Sequence, residues 1–84
     1  MSVAGKSAFK TLRVKPGRLG RFEVRDGRRL LGSSENEMLA VWTAVGAAEA
    51  MTKSGRTVRV VTHRDGEDVE EFVARPLEPD LFDA

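Results

Sequence analysis

Apolar and polar positions alternate along most of the chain and run together in one stretch. From Phe9 to Lys15, Leu12 and Val14 alternate with Thr11, Arg13 and Lys15, the period-two pattern of a half-buried strand. Arg21–Arg25 repeats it, with Phe22 and Val24 inward and Arg21, Glu23 and Arg25 outward, and Arg28–Leu31 predicts a third, short strand. Arg56–His63 resumes the alternation, Val58 and Val60 on one face and Arg59 and Val61 on the other, and Glu67–Arg75 reads as its return strand. Pro16-Gly17-Arg18-Leu19-Gly20 separates the first two strands, and Asp26-Gly27 and Asp65-Gly66 each mark a two-residue hairpin turn. The triplet Arg-Asp-Gly stands at both tips, 25–27 and 64–66; a shared preference for Asp-Gly in hairpins explains the echo more simply than duplication.

Between the third and fourth strands the period changes to that of a helix, predicted over Glu35–Lys53. Ser34 with Glu37 three residues on forms a capping box, and Gly55 follows as a terminator. The spacings predict a core face of Met38, Val41, Ala44, Val45, Ala48 and Met51. The resulting fold is α+β: a five-stranded antiparallel sheet, elements in the order β-β-β-α-β-β, with one helix on one face and solvent on the other. Residues 9–75 form this single domain, between an N-terminal tail of residues 1–8 and an acidic C-terminal tail of residues 76–84, where Pro76 and Pro79 stop further strand pairing.

The helix is more apolar than one sheet requires. Between Met38 and Met51 only Thr43 and Glu49 are polar. A helix apolar most of the way round asks for a second surface, so Leu39, Trp42 and Gly46 are the candidate contact with a second copy or another protein. Alanines are also neutral surface residues, which leaves Leu39 as the main departure if no partner exists.

Composition changes the picture in two places. The chain has 84 residues and no cysteine, which excludes disulfides, thiolate metal sites and thiol nucleophiles; with one histidine, His63, a structural zinc site is not expected. The net charge of +1 conceals an asymmetry: residues 1–64 carry +8 and residues 65–84 carry −7. No apolar run reaches the roughly 20 residues of a membrane span, and the first residues lack a signal peptide's apolar stretch, so the expectation is a cytoplasmic protein.

Little here suggests catalysis. Gly5-Lys6-Ser7 matches the end of a phosphate-binding loop without its earlier glycine or preceding strand. His63 reads as a surface residue at a hairpin end, with no nucleophile placed beside it. The acids Asp65, Glu67, Asp68, Glu70 and Glu71 lack the ligand spacing of a calcium loop. Nothing in the chain calls for a metal, a cofactor or a small-molecule substrate. The outward strand faces are more informative. Arg13, Lys15, Arg21, Arg25, Arg29 and Arg59 are expected to share the solvent face of the sheet, with Arg18 and Arg28 at its turns, an electrostatic footprint suited to phosphates. Phe9 alone is placed to stack a base, which favours backbone contacts to duplex DNA over single-strand recognition. The competing reading is a solvated face neutralised by Glu23, Glu70 and Glu71.

The Asp-Gly hairpin before a Ser-Ser-initiated, alanine-rich helix, and the closing Val-Val-Thr-His-Arg-Asp-Gly hairpin, resemble a family of short uncharacterised bacterial and phage proteins that pair a small antiparallel sheet with one helix. The likeness covers residues 9–75 at the level of layout. It implies DNA or host-protein binding and carries over no catalytic residues; the acidic exit and the shortage of aromatic residues in the first strands depart from the family pattern.

The functional expectation is therefore a non-enzymatic binding module that contacts duplex nucleic acid through its basic sheet face. The alternatives are a protein-interaction or inhibitor module that uses the helix back and the acidic tail, and a structural homodimer. Within the tail, Leu77, Leu81 and Phe82 are expected to dock on an apolar surface while Glu78, Asp80 and Asp83 approach the basic face.

Overall fold

The computed structural model describes residues 9–76; the tail positions Leu77, Leu81 and Phe82 lie outside them. Its elements are β1 (Phe9–Pro16), β2 (Phe22–Asp26), β3 (Arg29–Ser34), α1 (Glu37–Met51), β4 (Thr57–Arg64) and β5 (Glu67–Ala74), with short 3-10 turns at Arg18–Gly20 and Thr52–Ser54. The fold is α+β, one helix on a five-stranded sheet of order β3-β2-β1-β4-β5.

The sheet is mixed, not antiparallel throughout: β1 and β4 run parallel, with Leu12 opposite Val60 and Val14 opposite Thr62. The reason lies in α1. Two hairpins make β3 run in the direction of β1. The helix then carries the chain back to the starting end, so β4 sets out in that same direction, as a helical crossover between parallel strands requires. Pairing β4 with β1 therefore gives a parallel ladder at the centre of the sheet.

The helix begins later than the capping-box reading places it. Ser33 and Ser34 are held in the ladder opposite Glu23 and Phe22. Asn36 is the N-cap instead, its side-chain oxygen accepting from the Leu39 N–H at 2.9 Å, a role asparagine fills as well as serine. Glu37, in the first turn, pairs with Arg64 at the far end of β4.

The core sits between α1 and the sheet. Leu12, Val14, Val24, Val58 and Val60 are fully buried beneath Ala40, Ala44 and Ala48 of the helix, and Val41, Val45, Ala47 and Met51 flank them. The helix is thus turned from the expected orientation: Ala40 lies inside and Met38 is 66% exposed. The sheet already supplies branched side chains, so the line of closest approach takes the smallest residues and the larger ones fill the widening flanks.

The two hairpin tips differ in register. Asp26 pairs with Arg29, so the first loop is Gly27-Arg28; Arg64 pairs with Glu67, so the second is Asp65-Gly66, both at positive φ (52° and 80°) as a type I′ turn demands. The repeated Arg-Asp-Gly therefore occupies two different geometries. Each edge strand also carries a bulge, with Leu31 and Glu71 the extra residues, and such irregularities guard a sheet edge against pairing with other chains.

Enlarging Ala44 tests the close approach. Ala44→Leu is expected to lower stability by about 1–3 kcal/mol, the usual effect of overpacking, read from urea unfolding; a smaller loss would mean that the helix does not seat on its alanines.

Candidate nucleic-acid interface

The sheet face away from α1 is built by strand alternation. Because Leu12, Val14 and Val24 point to the helix, Thr11, Arg13 and Lys15 of β1 and Glu23 and Arg25 of β2 point the other way. On β4, Arg59, Val61 and His63 share that side, with Asp68 and Glu70 opposite His63 and Val61 on β5. No second layer covers this face among the described residues. Yet Val61 is only 1% exposed. Arg13 stands beside it in register and reaches across β4 to Asp68 on β5, with Nη2–Oδ2 at 2.8 Å and Nε–Oδ1 at 3.1 Å. Its stem roofs the valine while its charged head stays at the surface.

Asp68 also meets His63, Nδ1 to Oδ1 at 2.7 Å. The Arg13 hydrogen bonds, and then that of His63, hold the Asp68 carboxyl at a pKa of about 2, below the usual carboxylate range; Asp68 in turn raises the pKa of the Arg13 guanidinium. The other acids of the face are engaged as well. Glu23 pairs with Arg25 at 3.0 Å and Glu70 with Arg59 at 3.9 Å. Arg59 also donates to the Thr11 hydroxyl at 3.4 Å. Glu71, expected as a third neutralising acid, turns to the helix side at its bulge and accepts from the Thr62 hydroxyl at 2.9 Å.

Four of the basic residues named from the sequence, Arg13, Lys15, Arg25 and Arg28, come together with Gly27 around one cleft of about 410 Å³. Two are oriented from behind: Arg13 by Asp68, and Arg25 by Glu23 and by the Arg28 carbonyl at 2.8 Å. Lys15 and Arg28 have no ion-pair partner among the described residues, so the cleft carries more positive than negative charge. Gly17 supports this arrangement, because a side chain there would meet the Glu23 stem at 2.6 Å.

The remaining candidates are dispersed. Arg59 lies across β1, beside a second cleft of about 410 Å³ lined in part by Phe9, Thr11, Val73 and Arg75. Arg21 bonds to Ser33 at the β3 edge, with Nε–Oγ at 3.3 Å, and Arg18 sits in the 3-10 turn. Arg29 is opposite Asp26 in the ladder and so takes the helix side, not the open face; the Leu31 bulge reverses the alternation that the sequence pattern assumed. The His63–Asp68–Arg13 linkage was not foreseen. Its only trace in the sequence is the equal distance of His63 and Asp68 from the Asp65-Gly66 turn, which makes them cross-strand partners.

Among the described residues, no group of three or more histidines and carboxylates is placed to hold a metal ion, and no helix is long and apolar enough to cross a membrane. Comparison with protein-family models, with curated proteins and with solved structures gives no match to this chain.

Asp68 makes a pH prediction. Its folded pKa is depressed, so its contribution to stability is complete above the unfolded value of about 3.9 and is lost as pH falls toward a folded value of about 2. The midpoint of urea unfolding should fall further between pH 5 and pH 2 for the unmodified protein than for Asp68→Asn. Equal falls would show that the Arg13–Asp68–His63 linkage contributes nothing to stability.

Proposed function

We propose that this protein is a non-enzymatic module that binds duplex nucleic acid through the open face of its sheet, by contacts to the phosphate backbone and without reading sequence. One observation carries the reading: Arg13, Lys15, Arg25 and Arg28 surround a single cleft, two of them held by carboxylates and two unpaired among the described residues. Guanidinium groups oriented from behind keep their outer N–H donors for a phosphate, which they match in a two-pronged fashion, while Lys15 adds a mobile point charge. Arg59, across β1, extends the basic surface along the same face. The face offers Phe9 as its one exposed aromatic side chain among the described residues, which favours backbone contact over a stacking platform for single strands.

Fluorescence anisotropy with a labelled mixed-sequence duplex tests this. Four phosphate contacts give a slope of log K against log salt near −3.6, or about a hundredfold loss of affinity between about 50 and 200 mM salt. Lys15→Ala and Arg28→Ala should each flatten the slope by about one unit and weaken all duplex sequences alike. Absence of binding at the lower salt rules the proposal out.

A further inference from the structure

At the other end of the open face from the Arg13–Arg28 cleft lies the second cleft of about 410 Å³, a size within the range of pockets that hold small ligands. Strand register gathers its walls. Thr11 of β1 stands opposite Arg59 of β4 in the parallel ladder, and Val73 of β5 stands opposite Arg59 on its other side. Alternation therefore turns all three to the open face, together with Phe9 two residues before Thr11 and Arg75 two residues after Val73. The lining differs in kind from that of the first cleft. An aromatic ring, 69% exposed, and a branched apolar side chain stand beside two guanidinium groups. Arg59 is held from behind, by Glu70 at 3.9 Å and by the Thr11 hydroxyl at 3.4 Å. Arg75 is exposed and has no ion-pair partner among the described residues.

We propose that this cleft takes one unpaired nucleotide of the bound nucleic acid, its base against the Phe9 ring and its phosphate on Arg75, so that the protein binds best where a duplex gives way to a single-stranded overhang. The inference rests on the duplex-binding reading of the same face. A ring set beside cations is the complement of a nucleotide, which offers a π-face and an anion together. Stacking needs an exposed base face. Inside a continuous duplex each base is covered by its neighbours, so the ring is matched by an unpaired base. Phe9 forms a wall of a cleft, an arrangement that receives a base and not one that drives a wedge between base pairs. One ring serves one base: too little for a platform along a single strand, and sufficient at a junction. The spacing agrees. Phe9 and Lys15 are six residues apart on β1, about 20 Å, or about six base-pair rises. A duplex that lies along β1 with its phosphates on Arg13, Lys15, Arg25 and Arg28 thus brings its end to Phe9 within one helical turn. Stacking is tolerant of base identity, in keeping with a face that does not read sequence.

Anisotropy titrations of the full chain with three labelled DNAs test this: a blunt duplex closed by G·C pairs, the same duplex with a two-nucleotide overhang, and that overhang made abasic, which keeps the phosphates and removes the bases. One set carries the overhang at the 3′ end and another at the 5′ end, and the preference is required in one of them. The base-bearing overhang should bind about tenfold more tightly than the abasic one, within the range for one stacked base. Phe9→Ala should erase that factor and leave the blunt duplex and the melting temperature unchanged, whereas Phe9→Trp should keep it. Arg75→Gln should weaken both overhangs several-fold without affecting the blunt duplex. Equal binding of base-bearing and abasic overhangs overturns the inference and leaves backbone binding by the Arg13–Arg28 cleft intact; this is the outcome if the cleft serves an apolar, carboxylate-bearing peptide instead. A base preference that survives Phe9→Ala overturns it too. So does a Phe9→Ala loss of equal size on the blunt duplex, the mark of a wedge between base pairs. Absence of binding to all three DNAs removes the inference together with the duplex-binding reading.

Discussion

The seating of Ala40, Ala44 and Ala48 on Leu12, Val14, Val24, Val58 and Val60 is the contact on which the rest of this structure depends. One helix of 15 residues, about 22 Å long, packs against all five strands and is the only layer over the sheet among the described residues. Alanine at the line of approach lets it come close enough to exclude water from the valines beneath. Among the described residues no second layer covers the other side, in keeping with the thin core of a small domain.

The open face follows from that shortage. A sheet face without a cover must hold polar side chains, yet Val61 is buried there at 1% exposure. Long cationic side chains resolve the conflict, with stems over the valine and heads in water. Arg13 does this while bound to Asp68 across β4, so one side chain closes the face, links three strands and stands at the edge of the basic cleft. Cross-strand acids hold several of the cations in place. Exposed pairs of this kind contribute little to stability singly, and their larger effect is to fix the direction of the guanidinium groups.

The helix back answers to the same constraint. A narrow alanine stripe suffices for the sheet, so the larger apolar residues Met38, Leu39 and Trp42 are left outside.

Element types, the Asp65-Gly66 turn and the inward residues of β1, β2 and β4 were legible in the chain, because strand alternation and turn chemistry are local properties: Leu12, Val14, Val24, Val58 and Val60 all point where the period-two pattern puts them. So was the cationic character of the open face. The parallel pairing of β1 with β4 was not, since it depends on where the helix sets the chain down and not on the residues of either strand. The rotation of α1 onto Ala40 was not legible either: periodicity marks two apolar faces, and only the shape of the sheet beneath selects between them. Arg29 moved to the helix side because a bulge, a property of the paired strands, reverses alternation beyond it. The Arg13–Asp68–His63 linkage required a strand order that brings residues 55 positions apart in sequence across one intervening strand. Local sequence determined what each segment is. Which segments meet was decided by the single way one small helix can close one face of this sheet.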